Sequence, residues 1–166
     1  NPVDMEGTFE LPEAQVDRFL VKTGIGYPDE AGEVELLKRR RARDEPSPVV
    51  ERVLEDGAAG ALRTVPESVT VDDDLLEYQA ALARASRKHG RVSVGVSPRG
   101  TQRLFEAARA MAVLRGREFV APSDVTDVLE PVLAHRLVLT PDAQVEGVER
   151  AAIVAEIRES VPVPTV

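Results

Sequence analysis

The stretch Gly95-Val96-Ser97-Pro98-Arg99-Gly100 decides how this chain folds. Ser97 is of the type that caps a helix N-terminus with its side-chain oxygen, and Pro98 suits the first helical position, where a missing N–H loses no hydrogen bond. Leu104, Phe105, Ala108, Met111 and Ala112 then recur at spacings of three and four. That period predicts an amphipathic helix from Ser97 to Arg115, closed by Gly116 as its C-terminal cap. Arg99 is thereby held in the first turn of a rigid element, as a guanidinium fork suited to a carboxylate or a phosphate. A surface arginine beside a helix start remains the simpler account of these six residues taken alone.

The same grammar extends outward in both directions. Downstream, Phe119-Val120 reads as extended and Pro122-Ser123-Asp124 as a second helix start, with Val125, Val128, Leu129, Val132 and Leu133 as its core face. Thr140 to Gly147 reads as a loop, and a last helix is expected from about Val148 to Ser160. Upstream, Asp72-Asp73-Asp74 forms an acidic cap for a helix reaching about His89, whose Leu75, Tyr78, Leu82 and Ala85 face inward. Its spacing lacks the alternating acids and central glycine of a calcium loop. His89 and His135 lie on separate helices with no paired carboxylate spacing nearby, so both are read as structural, and no metal site is expected.

Residues 50–65 predict a weaker helix, because Gly57 and Gly60 each cost about 1 kcal/mol relative to alanine. Pro66 marks its end, and Val69-Thr70-Val71 is a short extended piece. A further helix is expected from Pro28-Asp29, with Glu35 and Arg39 as an i,i+4 pair and Lys38-Arg39-Arg40-Arg41 at its end, where cations complement the helix dipole. Pro12 opens a short helix running to Arg18. Phe19 to Ile25 then predicts a strand, which needs neighbours for its backbone groups. Residues 1–10 read as a loop.

Composition narrows the choice of class. Aromatics are 4% of the 166 residues and tryptophan is absent, so the core rests on Leu, Val and Ala, as in helical domains. A formal charge of −8 opposes non-specific binding to nucleic acid or anionic lipid. Without cysteine there is no thiolate or disulfide chemistry. No apolar run approaches the roughly 18 residues needed to span a bilayer, so no membrane partner is expected and a cytoplasmic location is the default. The chain opens on Asn1-Pro2 with no initiator methionine and reads as a fragment, a processed form or part of a longer protein.

Three catalytic patterns fail on single residues. Gly24-Ile25-Gly26 places Asp29 where a dinucleotide fingerprint needs its third glycine. Gly95-Val96-Ser97 is not a nucleophile elbow, since Arg99 stands in place of glycine. No Gly-Lys dipeptide occurs, hence no Walker A phosphate cradle.

What remains is a constellation: Asn1-Pro2, Glu6-Gly7-Thr8, Leu11-Pro12-Glu13-Ala14-Gln15-Val16-Asp17-Arg18-Phe19, Tyr27-Pro28, Ser97-Pro98-Arg99, Arg115-Gly116-Arg117 and Ala134-His135-Arg136. It resembles the second half of a MoxR-type AAA+ ATPase. The Leu11–Phe19 motif departs from that family's pattern only at Val16, where leucine is usual; residues 45–68 and 140–166 carry hardly any of the likeness. The resemblance implies a mainly α fold, a helical-bundle AAA+ lid over residues 29–166. Preceding it, residues 1–28 would hold the last helix and strand of an α/β P-loop nucleotide-binding core.

It also implies roles for three residues. Asn1 would be the sensor-1 residue that orients the attacking water. Arg18 would be the arginine finger offered to a neighbouring subunit, with Glu13 and Asp17 able to pair with it and aim it. Arg99 would be sensor 2, binding the phosphates of its own subunit. The implied cofactor is ATP with Mg2+, although the Walker A and Walker B elements that hold both are not in this sequence, and the chain alone is expected to be inactive. The implied partners are further copies in a ring, of hexameric type, and client proteins, including ones with von Willebrand factor A domains, matured or assembled in a chaperone-like way. Two rivals stand beside this reading: a nucleotide-independent acidic helical interaction module, and part of a nucleic-acid-remodelling AAA+ motor, which the net charge disfavours.

Overall fold

Ser97 caps its helix as its position demands: in the computed structural model, which describes residues 11–43 and 51–165, its hydroxyl accepts the Gly100 N–H at 3.1 Å. The helix it opens, α5 (Pro98–Leu114), is the centre of the molecule. Earlier in the chain come α1 (Glu13–Val16), α2 (Glu30–Ala42), α3 (Ala58–Thr64), α4 (Asp73–Lys88) and strand β1 (Val92–Val94). After it come α6 (Pro122–Leu133), β2 (Val138–Leu139), α7 (Pro141–Val145) and α8 (Arg150–Ser160). The protein is mainly helical, as its Leu, Val and Ala core requires.

One hydrophobic core unites the stretch from Val69 to Ile157. Most inward positions read from the spacing are buried, namely Leu75, Tyr78 and Leu82 on α4, Leu104, Ala108 and Ala112 on α5, and Val125, Val128, Leu129, Val132 and Leu133 on α6, whereas Ala85, Phe105 and Met111 are only half-buried. α5 packs most extensively against α6 and also against α4, while α8 covers both α4 and α6. β1 and β2 pair antiparallel, Val92 opposite Leu139, and thread the two halves of the bundle together. The extended pieces at Thr70 and Phe119 meet as an isolated parallel bridge.

Four local expectations change. Phe19 to Ile25 forms no strand; Lys22 N–H reaches the Pro131 carbonyl at 2.8 Å, but no ladder follows. A β-forming segment without neighbouring strands cannot satisfy its backbone by pairing. The weak helix over 50–65 shrinks to α3, because Gly57, at φ +85°, takes a left-handed conformation directly before Ala58. Pro66 lies in a 3-10 turn, Val65–Ser68, that continues α3. β1 and α7 arise where loops are expected; α7 repeats the Ser97-Pro98 pattern with Thr140 as its cap and Pro141 as its first residue.

α2 has the expected ends, with Asp29 accepting the Gly32 N–H at 2.8 Å and Glu35 bound to Arg39 at 2.9 Å. It buries no residue. Leu36, Leu37, Tyr27 and Ile25 are exposed, so residues 11–43 contribute almost nothing to the core.

Candidate functional site

Arg18 follows Asp17, the C-cap of α1, and both it and Arg99 are exposed. Neither is in an ion pair with a described carboxylate. Asn1 lies outside the described residues. The expectation that Asp17 aims Arg18 by pairing with it is corrected: Asp17 Oδ1 accepts from Arg136 Nε at 3.1 Å, and its Oδ2 accepts from the Ser97 hydroxyl at 2.9 Å. Glu13 is in no described ion pair with Arg18 either. A neighbouring carboxylate is better satisfied by a buried guanidinium than by an exposed one that water already solvates.

Arg136 is the residue that sequence reasoning passed over, although it stands in the Ala134-His135-Arg136 motif. Its side chain is only 1% exposed. Nη2 donates to the Asp17 carbonyl at 3.1 Å and also to the Phe19 carbonyl, while Nη1 donates to the Val132 carbonyl and lies 3.4 Å from that of Leu20. One guanidinium therefore grips the backbone on both sides of Arg18. Burial lowers the Arg136 pKa from its ordinary value, and the Asp17 carboxylate opposes that shift.

Gly100 makes room for this arrangement. A Cβ there would lie 2.6 Å from Val96 Cγ1 and 2.9 Å from Arg136 Cδ, closer than packed carbon atoms tolerate. The glycine after Ser-Pro-Arg was the available signal: in a first helical turn it lowers helix propensity, and here it admits the aliphatic stem of Arg136. His135 Nε2 faces Arg136 Nη1 at 2.6 Å, so the ring nitrogen accepts and the imidazole is neutral. Its pKa is lowered, first by burial and then by Arg136 and Lys22.

The Arg115-Gly116-Arg117 motif has a different destination. Arg115 Nη1 lies 2.9 Å from Asp124 Oδ1, Arg117 Nη2 contacts the same oxygen, and Oδ2 accepts the Ala121 N–H at 2.8 Å. Arg115 also reaches Asp127, whose hydrogen bond is the largest cause of its raised pKa. Gly116, at φ +69°, makes the turn that aims both arginines at Asp124. Among the described residues there is no group of three or more His, Asp or Glu able to hold a metal, and no helix long and apolar enough to cross a membrane.

A helical bundle closed on itself, with an N-terminal segment fastened to it beside two exposed arginines, fits the helical lid domain of an AAA+ protein. Residues 84–157 match the family model for the AAA lid domain. A crystal structure of a candidate ATPase from Cytophaga hutchinsonii superposes with a TM-score of 0.90 at 30% identity, over 99% of this chain and 52% of that one.

Within that class the chain is similar to MoxR-type AAA+ proteins. It is 34% identical over 175 residues to the chaperone MoxR1 of Mycobacterium tuberculosis, covering 100% of this chain and 46% of the relative. It is 36% identical to the protein MoxR of Paracoccus denitrificans, over 85% and 47% of the two chains. With the uncharacterized protein YeaC of Bacillus subtilis the identity is 40%, over 99% and 51%. The chain thus spans about half the length of the curated relatives it matches.

Proposed function

We propose that this chain is the part of a ring-forming AAA+ ATPase that supplies cations to ATP bound between subunits, with the nucleotide's hydrolysis driving chaperone-like maturation of client proteins. One observation carries the reading: Arg18 and Arg99 are exposed, free of described carboxylates, and mounted on segments joined by the Asp17–Ser97 bond. Exposed guanidinium forks on a fixed frame suit the terminal phosphates of a nucleotide, whose charge spreads over several oxygens as the phosphoryl group transfers. Mg2+, whose Walker A and Walker B ligands are not in this sequence, would supply neutralisation of the charge that develops there.

The Asp17–Ser97 bond favours a refinement of the expected roles. Segments tied together at 2.9 Å present Arg18 and Arg99 to one phosphate cluster more readily than to two. For a finger, that cluster belongs to the neighbouring subunit. Asn1 retains its proposed role of orienting the attacking water. Von Willebrand factor A-domain clients, a hexameric ring and a cytoplasmic setting belong to the same proposal.

Mixed rings of the full-length protein test it. Arg18→Ala should bind ATP nearly normally and lose activity by a factor on the order of 10³–10⁵, the range for arginine fingers. Co-assembly with a subunit that lacks the Walker A lysine but keeps Arg18 should restore activity, because an intact finger then meets an intact pocket. Arg99→Ala should be restored by the same partner if both arginines face the neighbour. Full activity of Arg18→Ala, or mixed rings as inactive as either parent, overturns the finger role.

A further inference from the structure

The proposed reading uses Arg18 and Arg99 but gives no work to the buried residue between their segments. Arg136 is the one described arginine whose guanidinium binds the chain on both sides of another arginine, through the carbonyls of Asp17 and Phe19. Its Nε pairs with Asp17, whose second oxygen holds the Ser97 hydroxyl at the cap of α5. Its stem passes beneath α5 at Gly100, one residue after Arg99. A neutral His135 closes the remaining side of Nη1. Every hydrogen-bonding edge of the fork is thus directed at the backbone that carries Arg18, at the cap beside Arg99, or at the end of α6.

Such an arrangement exceeds what joining two segments requires. Arg18 is exposed and has no side-chain hydrogen bond or ion pair with another described residue, so the path of its backbone decides where the guanidinium points. Flexible mounting would cost catalysis directly, since misplacement by about 1 Å can lower a rate about 100-fold. Planar, forked geometry is essential here: lysine carries the charge but cannot reach separate acceptors on two sides at once.

We infer that Arg136, with Asp17 as its counter-charge, is a positioning residue for Arg18: it locks the finger's backbone to the start of the Arg99 helix, so that the bundle and the finger move as one body. The inference rests on the finger reading above. It predicts that motions of the helical domain are passed to the finger without loss, through a side chain that itself touches no nucleotide.

The test uses the full-length ring with Arg136→Lys, Asp17→Asn and Gly100→Ala, each measured beside Arg18→Ala. Arg136→Lys removes the fork and keeps the charge; Asp17→Asn keeps the shape and removes the counter-charge; Gly100→Ala leaves both side chains and displaces the Arg136 stem. For each variant that assembles, kcat should fall at least tenfold while the affinity for a non-hydrolysable ATP analogue stays within about threefold. Mixed rings with the pocket-dead, clasp-intact subunit should restore activity, as for Arg18→Ala. A merely structural role would lower the melting temperature and leave the kcat of assembled rings alone.

Assembled variants with kcat within twofold of wild type, or with losses that mixed rings do not restore while the Arg18→Ala loss is restored, overturn the inference and leave the finger reading standing. A fully active Arg18→Ala overturns both. Failure of all three variants to assemble, with Arg18→Ala assembling normally, also overturns it, because the clasp would then serve folding.

Discussion

Two arginine clusters stand at opposite ends of α5 and are built on different principles. At its C-terminal end Arg115 and Arg117 converge on Asp124, a carboxylate with no exposed side-chain surface that also takes the Ala121 N–H. At its N-terminal end Arg136 is the buried member, and the two arginines beside its partner Asp17 and the Ser97 bound to it are exposed with no described carboxylate. In the first cluster every cation has a partner within the chain. In the second, internal pairing is complete at Arg136 and Asp17, and the charges left over are displayed outward. A motif rich in arginine therefore either closes on itself or displays its charge outward, and spacing alone does not reveal which.

The largest effect that would sharpen this contrast lies at the closed cluster. Asp124→Ala removes a buried carboxylate that serves two arginines and the start of α6. It should destabilise the fold by about 3 kcal/mol, near the low end for a broken buried pair because the arginines can turn to water. For a domain of this size that lowers the melting temperature by roughly 6–12 °C. In the assembled full-length protein the rate per folded ring should stay near wild type. A rate loss larger than the folded fraction explains would give this cluster a functional role and erase the distinction.

At the open cluster the expectation reverses. Arg99→Ala should leave the melting temperature nearly unchanged, since the side chain is exposed and outside the core, and should weaken full-length kcat/KM by roughly 1.5–3 kcal/mol, the value of one hydrogen bond to a charged group. Arg99→Lys should recover only part of that, because the fork is lost. Unchanged kinetics in Arg99→Ala would return this residue to the class of ordinary surface arginines.

The smallest effect is a pH dependence confined to the clasp. His135 has a lowered pKa in the folded protein, through burial, Arg136 and Lys22. Below its unfolded value of about 6.5 the unfolded chain therefore binds more protons than the folded one, so stability falls as pH drops from that point towards the folded pKa. Protonation also sets two donors, the imidazolium and Arg136 Nη1, against each other. Comparing melting at pH 7.5 and 5.5, wild type should lose more stability than His135→Gln. Equal losses in the two proteins would show that this histidine is not the group titrating.

Much of the architecture was legible because its determinants are local. Ser97-Pro98, Asp72-Asp73-Asp74 and Pro122-Ser123-Asp124 each announce a helix start within a few residues, and the spacing of Leu, Val and Ala assigns the buried faces of α4, α5 and α6 without reference to the rest of the fold. β1 and β2 escaped notice because strands of three and two residues carry almost no period, and Val92 and Leu139 meet across the bundle. α7 was readable in principle from Thr140-Pro141 and was obscured by its length of five residues.

The sequence by itself determined most of the helices, most of their inward faces, the acidic balance and, through the Leu11–Phe19 motif, the MoxR-type resemblance. Only the tertiary structure decided which charges answer one another. Asp17 stands beside Arg18 in the chain yet binds Arg136, 119 residues away, because a carboxylate gains most from a cation that has been withdrawn from water. That preference depends on burial, and burial exists only once α5, α6 and the segment after α1 have come together.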